Sequence, residues 1–128
     1  MKYSVETPTT KNYSFTGKDE VAARIDLTVY NTDGSRICNI EFKAKGFSCE
    51  RKDLLSVSKD VQKLLREPEP ALWFHLLESA DRTTVSKLLD VLKNCISQTK
   101  MDIHDIDQPE MTVHVCVLKQ QVIHQFQL

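Results

Sequence analysis

From Arg24 to Asn31 the chain alternates, with Ile25, Leu27 and Val29 apolar and Asp26, Thr28 and Tyr30 carrying polar groups between them. A period of two predicts a strand. Thr32-Asp33-Gly34-Ser35 follows, and Asp-Gly between two alternating runs is a hairpin turn signal. The alternation resumes from Arg36 to about Ala44, setting Cys38, Ile40, Phe42 and Ala44 against Ile37, Asn39, Glu41 and Lys43. The period then lengthens. Leu54, Val57, Val61, Leu64 and Leu65 recur at helical spacing, with Lys59, Asp60, Lys63 and Arg66 mainly off that stripe, so Leu54 to Arg66 is predicted as a helix that Pro68 and Pro70 stop. Ala71 to Leu77 is apolar on both faces apart from His75, as a buried central strand would be, and Trp73 and Phe74 read as core. The clearest helix spans residues 84–98, with Val85, Leu88, Leu89, Leu92, Cys95 and Ile96 on one stripe and Asp81 or Thr83 to cap it. An acidic loop, Asp102 to Glu110, leads to a last strand, Met111 to Leu118, in which Val113, Val115 and Val117 share a face.

The two ends are less regular. Residues 1–19 give no definite element beyond a short strand at Tyr13-Ser14-Phe15, and residues 18–24 read as a helical turn. The tail, Lys119 to Leu128, either extends the last strand or turns away. The order is strand, strand, helix, strand, helix, strand, which predicts an α/β fold with a mixed sheet covered by helices.

Length and composition change this picture little. A chain of 128 residues with 41% hydrophobic and 27% charged residues is expected to form one domain over residues 1–128, with a core that needs no disulfides. The net charge of −1 argues against coating nucleic acid by bulk electrostatics, though a local basic patch is compatible with it. Met1 to Thr10 is polar, and no apolar run approaches a membrane span, so the expectation is a cytoplasmic protein with no membrane partner. Cys38, Cys49, Cys95 and Cys116 form no C-x-x-C pair and have no zinc-finger spacing, so reduced thiols are expected, two or three of them buried.

The candidate chemistry lies in the hairpin. If Asp33-Gly34 is a two-residue turn closed by Thr32 and Ser35, Asn31 stands opposite Arg36, Thr28 opposite Asn39, and Asp26 opposite Glu41. Two carboxylates then face each other with Cβ atoms roughly 5 Å apart. Lys43 follows on the same face, about 7 Å farther along the strand. Facing like charges destabilise a sheet unless something offsets them, and a divalent cation such as Mg²⁺ or Mn²⁺ would do so through oxygen ligands. The plainer alternative is a solvated hairpin face on which Lys43 softens the repulsion. A one-residue slip in register would destroy the arrangement.

At Ile25-Asp26-Leu27 and Ile40-Glu41-Phe42-Lys43, followed by a helix with Lys59-Asp60-Val61-Gln62-Lys63-Leu64-Leu65 and a strand with Trp73-Phe74-His75-Leu76-Leu77, the sequence resembles the PD-(D/E)XK nucleases. The resemblance covers about residues 20 to 118 and implies a restriction-endonuclease-like fold, a mixed sheet flanked by helices. It also implies that Asp26 and Glu41 bind Mg²⁺ or Mn²⁺ with the backbone carbonyl of Phe42, and that Lys43 positions or activates water for phosphodiester cleavage. Glu20 is the candidate for the acidic residue that many members carry on an N-terminal helix. No proline precedes Asp26, and the family includes members that keep the fold without catalysis. The implied substrate is nucleic acid, DNA ahead of RNA, and small nucleases of this fold often act as homodimers.

Downstream of the hairpin, Lys43, Lys45, Arg51, Lys52, Lys59, Lys63 and Arg66 outnumber Glu50, Asp53 and Asp60. Of these, Lys45, Arg51, Lys52, Lys59 and Lys63 are candidates to hold a phosphate backbone, and a solvated helix face is the alternative. His75 in an apolar strand is expected to be a buried, hydrogen-bonded histidine. His104, set among Asp102, Asp105 and Asp107, reads as part of a hydrated acidic loop, with cation chelation the alternative, and His114 and His124 show no partner that would mark a site.

Overall fold

The computed structural model describes residues 1–13, 21–44, 50–102 and 110–128. The elements are β1 (Lys2–Tyr13), β2 (Val21–Tyr30), β3 (Arg36–Lys43), α1 (Arg51–Arg66), β4 (Ala71–Leu77), α2 (Arg82–Asp102), β5 (Met111–Val117) and β6 (Val122–Gln127). They build one six-stranded mixed sheet in the order β1-β2-β3-β4-β5-β6. β3, β4 and β5 run parallel, and the pairs at either edge are antiparallel. The α/β class is as expected from the alternation of periods. Among the described residues no helix is long and apolar enough to cross a membrane.

The hairpin turn differs from the expected one. Asn31 N–H donates to the Ser35 carbonyl at 2.8 Å and Gly34 N–H donates to the Asn31 carbonyl at 3.1 Å, so the loop has three residues, not two. Gly34 takes φ +86°, as this loop type requires, and Asp33 Oδ1 braces it by accepting from Ser35 N–H and Oγ. A three-residue loop sets Tyr30 opposite Arg36, one place off the expected register. Ile37 then bulges out, and from Val29–Cys38 onward through Thr28–Asn39 and Leu27–Ile40 the expected pairing is restored. Asp26 and Glu41 therefore share a face because two irregularities cancel.

Both ends of the chain add a strand. β1 occupies most of a segment in which only a short strand at Tyr13-Ser14-Phe15 was expected, and it lies at the sheet edge, where a proline such as Pro8 is tolerated. The helical turn expected at residues 18–24 is contradicted from Val21 onward, where β2 begins, because pairing with β1 gives that backbone its partners. The tail turns back at Leu118–Gln121 to form β6. Pairing beside β5 supplies hydrogen bonds that a polar sequence does not announce.

Val57, Val61, Leu64 and Leu65 of α1 join Val85, Leu88, Leu89, Leu92 and Ile96 of α2 in one buried cluster. Ala71, Trp73 and Leu77 of β4 and Met111, Val113, Val115 and Val117 of β5 complete it. Both helices thus lie on the same face, as two right-handed crossovers stepping in one direction across a sheet require. The expectation of helices flanking the sheet is corrected to this extent. On the other face Phe74 is half-buried, stacked 5.5 Å from Phe42 and 4.5 Å from His114, so of Trp73 and Phe74 only Trp73 belongs to the main core. Cys38, Cys95 and Cys116 are half-buried free thiols, less buried than expected. Asp81 caps α2 as expected, its Oδ1 accepting from Thr84 N–H at 2.7 Å.

Glu67, just past α1, is fully buried and fastens three elements together. Its Oε2 accepts from Thr10 N–H at 2.9 Å and Thr10 Oγ1 at 2.7 Å in β1, and from Arg36 Nη1 of β3 at 3.4 Å.

Candidate functional site

The restored register governs everything on the helix-covered face of β2 and β3. Thr28 and Asn39 stand opposite each other, both buried, and Thr28 Oγ1 donates to Asn39 Oδ1 at 3.0 Å. One step beyond lie Asp26 and Glu41. The backbone pairs end at Leu27–Ile40, and the half-buried Asp26 takes over the next donor, its Oδ2 accepting from Phe42 N–H at 2.9 Å.

Glu41 is buried, only 2% exposed, beneath α1. Lys63 Nζ stands 2.8 Å from both carboxylate oxygens, yet only the bond to Oε1 is aligned, and among the described residues Oε2 has no hydrogen-bond donor. The same ammonium donates to Asp60 Oδ1 at 3.1 Å, one turn earlier on α1. Lys43 pairs with Asp60 Oδ2, lies 3.9 Å from Glu41 Oε1, and sits 6.0 Å above the centre of the Trp73 ring. His75, also buried, is the β4 residue in register with Lys43.

The cluster therefore holds three carboxylates (Asp26, Glu41 and Asp60) and two ammonium groups (Lys43 and Lys63) on one side of the sheet. One negative charge is unmatched when all five are ionised. That excess falls on the most buried group: burial, with the Asp60 carboxylate next, pushes Glu41 up to about 7 against the opposing pull of Lys63. Burial draws Lys63 down, but Glu41 and Asp60 more than offset it and hold the ammonium above its ordinary range. Both directions express one fact, a surplus of negative charge away from water.

A consequence for stability follows. Glu41 has an ordinary value of 4.5 and holds its proton more tightly when folded. The stability this contributes is complete below about pH 4.5 and is lost as pH rises through about 7. Wild type without metal is expected to lose up to about 3 kcal/mol from this group between pH 4.5 and 8. Urea unfolding across that range checks it, and a Glu41-dependent slope of the opposite sign would contradict the placement.

The structure brings together Asp26, Glu41 and Lys43 as expected and adds Asp60, which charge counting treated only as an acid among bases. It places Lys63 inward, where the helical pattern suggested an outward residue. With 6% exposure and Glu41 as its partner, Lys63 belongs to the cluster and not to a solvent-facing row of cations. It lies on the flank of the apolar stripe that meets β3. Arg51, Lys52 and Lys59 are exposed on α1, with Lys52 Nζ 3.6 Å from Glu50. The Phe42 ring points to the opposite face, so only its backbone belongs to the site. Glu20 and Lys45 lie outside the described residues.

For a divalent cation the donor chemistry fits in kind. Two carboxylates share the face, and among the described residues one buried oxygen lacks an aligned donor and the cluster's net charge is negative. Among the described residues no three His, Cys, Asp or Glu side chains converge as a metal cage. With two carboxylates alone, water and phosphate oxygens would have to complete the shell of a Mg²⁺ ion. A cleft of about 500 Å³ lies between the start of α2 and β6, and none of the cluster's residues lines it. No family model, curated protein or solved structure matches this chain.

Proposed function

We propose that the chain is a small divalent-metal phosphodiesterase of the PD-(D/E)XK kind that cleaves nucleic acid. The observation that carries this reading is the juxtaposition of Asp26 with Glu41, a buried carboxylate in a cluster where, among the described residues, three carboxylates face two ammonium groups. The order β1-β2-β3-α1-β4, with Asp26 on the second strand and Glu41 and Lys43 on the third, also supports it. Asp26 and Glu41 would hold Mg²⁺ or Mn²⁺, with the Phe42 carbonyl as a third donor. When bound, the ion would supply Lewis-acid stabilisation to the charge developing on phosphate. Lys43, released from Asp60, would donate to the attacking water or a phosphate oxygen. Trp73 beneath it limits where that ammonium can move. The exposed Arg51, Lys52 and Lys59 give α1 cations for a phosphate backbone.

A second reading, a catalytically silent module of the same fold, is favoured by one observation: Lys63 already gives Glu41 a cation. Incubating the purified protein with single- and double-stranded DNA and RNA separates the two. The phosphodiesterase reading expects cleavage that requires Mg²⁺ or Mn²⁺ and is lost in Lys43→Ala. No cleavage of any of the four substrates with either metal would remove it.

A further inference from the structure

We propose that Lys63 is the site's built-in cation: its ammonium holds the place a divalent metal must take, and metal enters only by displacing it. This rests on the phosphodiesterase reading of the same site and adds a control to it. The geometry is that of a cation in a carboxylate seat. Nζ is 2.8 Å from both oxygens of Glu41 and 3.1 Å from Asp60 Oδ1, and the residue is 6% exposed. A divalent ion on Glu41 would bring two positive charges within about 4 Å of that ammonium, and their repulsion would drive the ammonium off.

The displaced ammonium has somewhere to go. Asp60 lies on the same helix, one turn before Lys63, and is more open to solvent than Glu41, with 17% of its side chain exposed. Metal binding would carry a second positive charge into the place of the first, so Lys63 moves toward Asp60 and Lys43 is pushed off it. Lys43 is thereby freed for the role the phosphodiesterase reading gives it. Lys63 thus sets the metal concentration at which the site assembles.

The test is Mn²⁺ binding, followed by titration calorimetry or by the electron spin resonance of free Mn²⁺. Lys63→Met keeps length and apolar stem while removing the charge. The expected result is at least about tenfold tighter Mn²⁺ binding than wild type, and a larger rise in Tm on adding Mn²⁺. Lys93→Met, exposed on α2, controls for the loss of any positive charge and should bind as wild type does. Equal affinity in Lys63→Met and wild type overturns the inference and leaves the phosphodiesterase reading standing. Binding by Lys63→Met alone upholds the inference and removes metal dependence from wild type. No binding in either overturns both. If Lys63→Met does not fold, acetylation of wild-type amines read by mass spectrometry decides. Lys63 should be protected without Mg²⁺ and react several-fold faster with it, and unchanged protection overturns the inference.

Discussion

Glu41→Gln is expected to abolish Mg²⁺-dependent cleavage, by about a thousandfold or more, while leaving the protein as stable as wild type at pH 8 or more so. The two halves have one cause. In wild type at pH 8 the Glu41 carboxylate is ionised in a buried place with an excess of negative charge around it, which is why it is pushed up to about 7. Glutamine keeps the shape and an acceptor for Lys63, removes the excess charge, and leaves Lys63 with Asp60. As a metal ligand, however, an amide cannot replace a carboxylate's charge. Urea unfolding at pH 5 and pH 8 should show the stability difference between these pH values shrink in the variant, by up to about 3 kcal/mol. A variant that cleaves as wild type does would show that Glu41 serves the ion cluster alone.

Much of that site was legible in the chain. Alternation in residues 24–31 and 36–44 placed Asp26, Glu41 and Lys43 on one face, and the structure agrees. The reason given by the sequence was incomplete. Asp-Gly marks a hairpin but does not fix the loop length, and the three-residue loop would have moved Asp26 off Glu41 without the bulge at Ile37. Asp60 and Lys63 were not legible as site residues. Helical periodicity separates apolar from polar positions, and a buried lysine counts as polar whichever way it faces. Its partner, Glu41, is twenty-two positions away on another element. β1 and β6 were hidden for a related cause. Edge strands carry polar residues on either side, and what makes them strands is a neighbour's ladder.

Glu67→Ala is the second change with a large expected effect, and it acts on the frame. Glu67 is fully buried and accepts from two donors of Thr10 and from Arg36. Truncation leaves the Arg36 guanidinium, 16% exposed, without its carboxylate, and leaves Thr10 N–H without that acceptor. Removing one side of a buried charged network costs about 3–5 kcal/mol, a large share of the stability of a domain this size. Because Arg36 begins β3 and Thr10 lies in β1, the loss should also loosen the first strands. Hydrogen exchange should then rise in Lys2–Tyr13 before it rises in β4 or β5. A loss under about 1 kcal/mol in urea unfolding would mean that water replaces the carboxylate at little cost.

Mn²⁺ placed in crystals of the wild-type protein and located by its anomalous scattering tests the central claim most directly. The account predicts a peak between the carboxylates of Asp26 and Glu41, with Lys63 Nζ withdrawn from Glu41 toward Asp60. The contradicting result is no peak at that position, with Lys63 still 2.8 Å from Glu41.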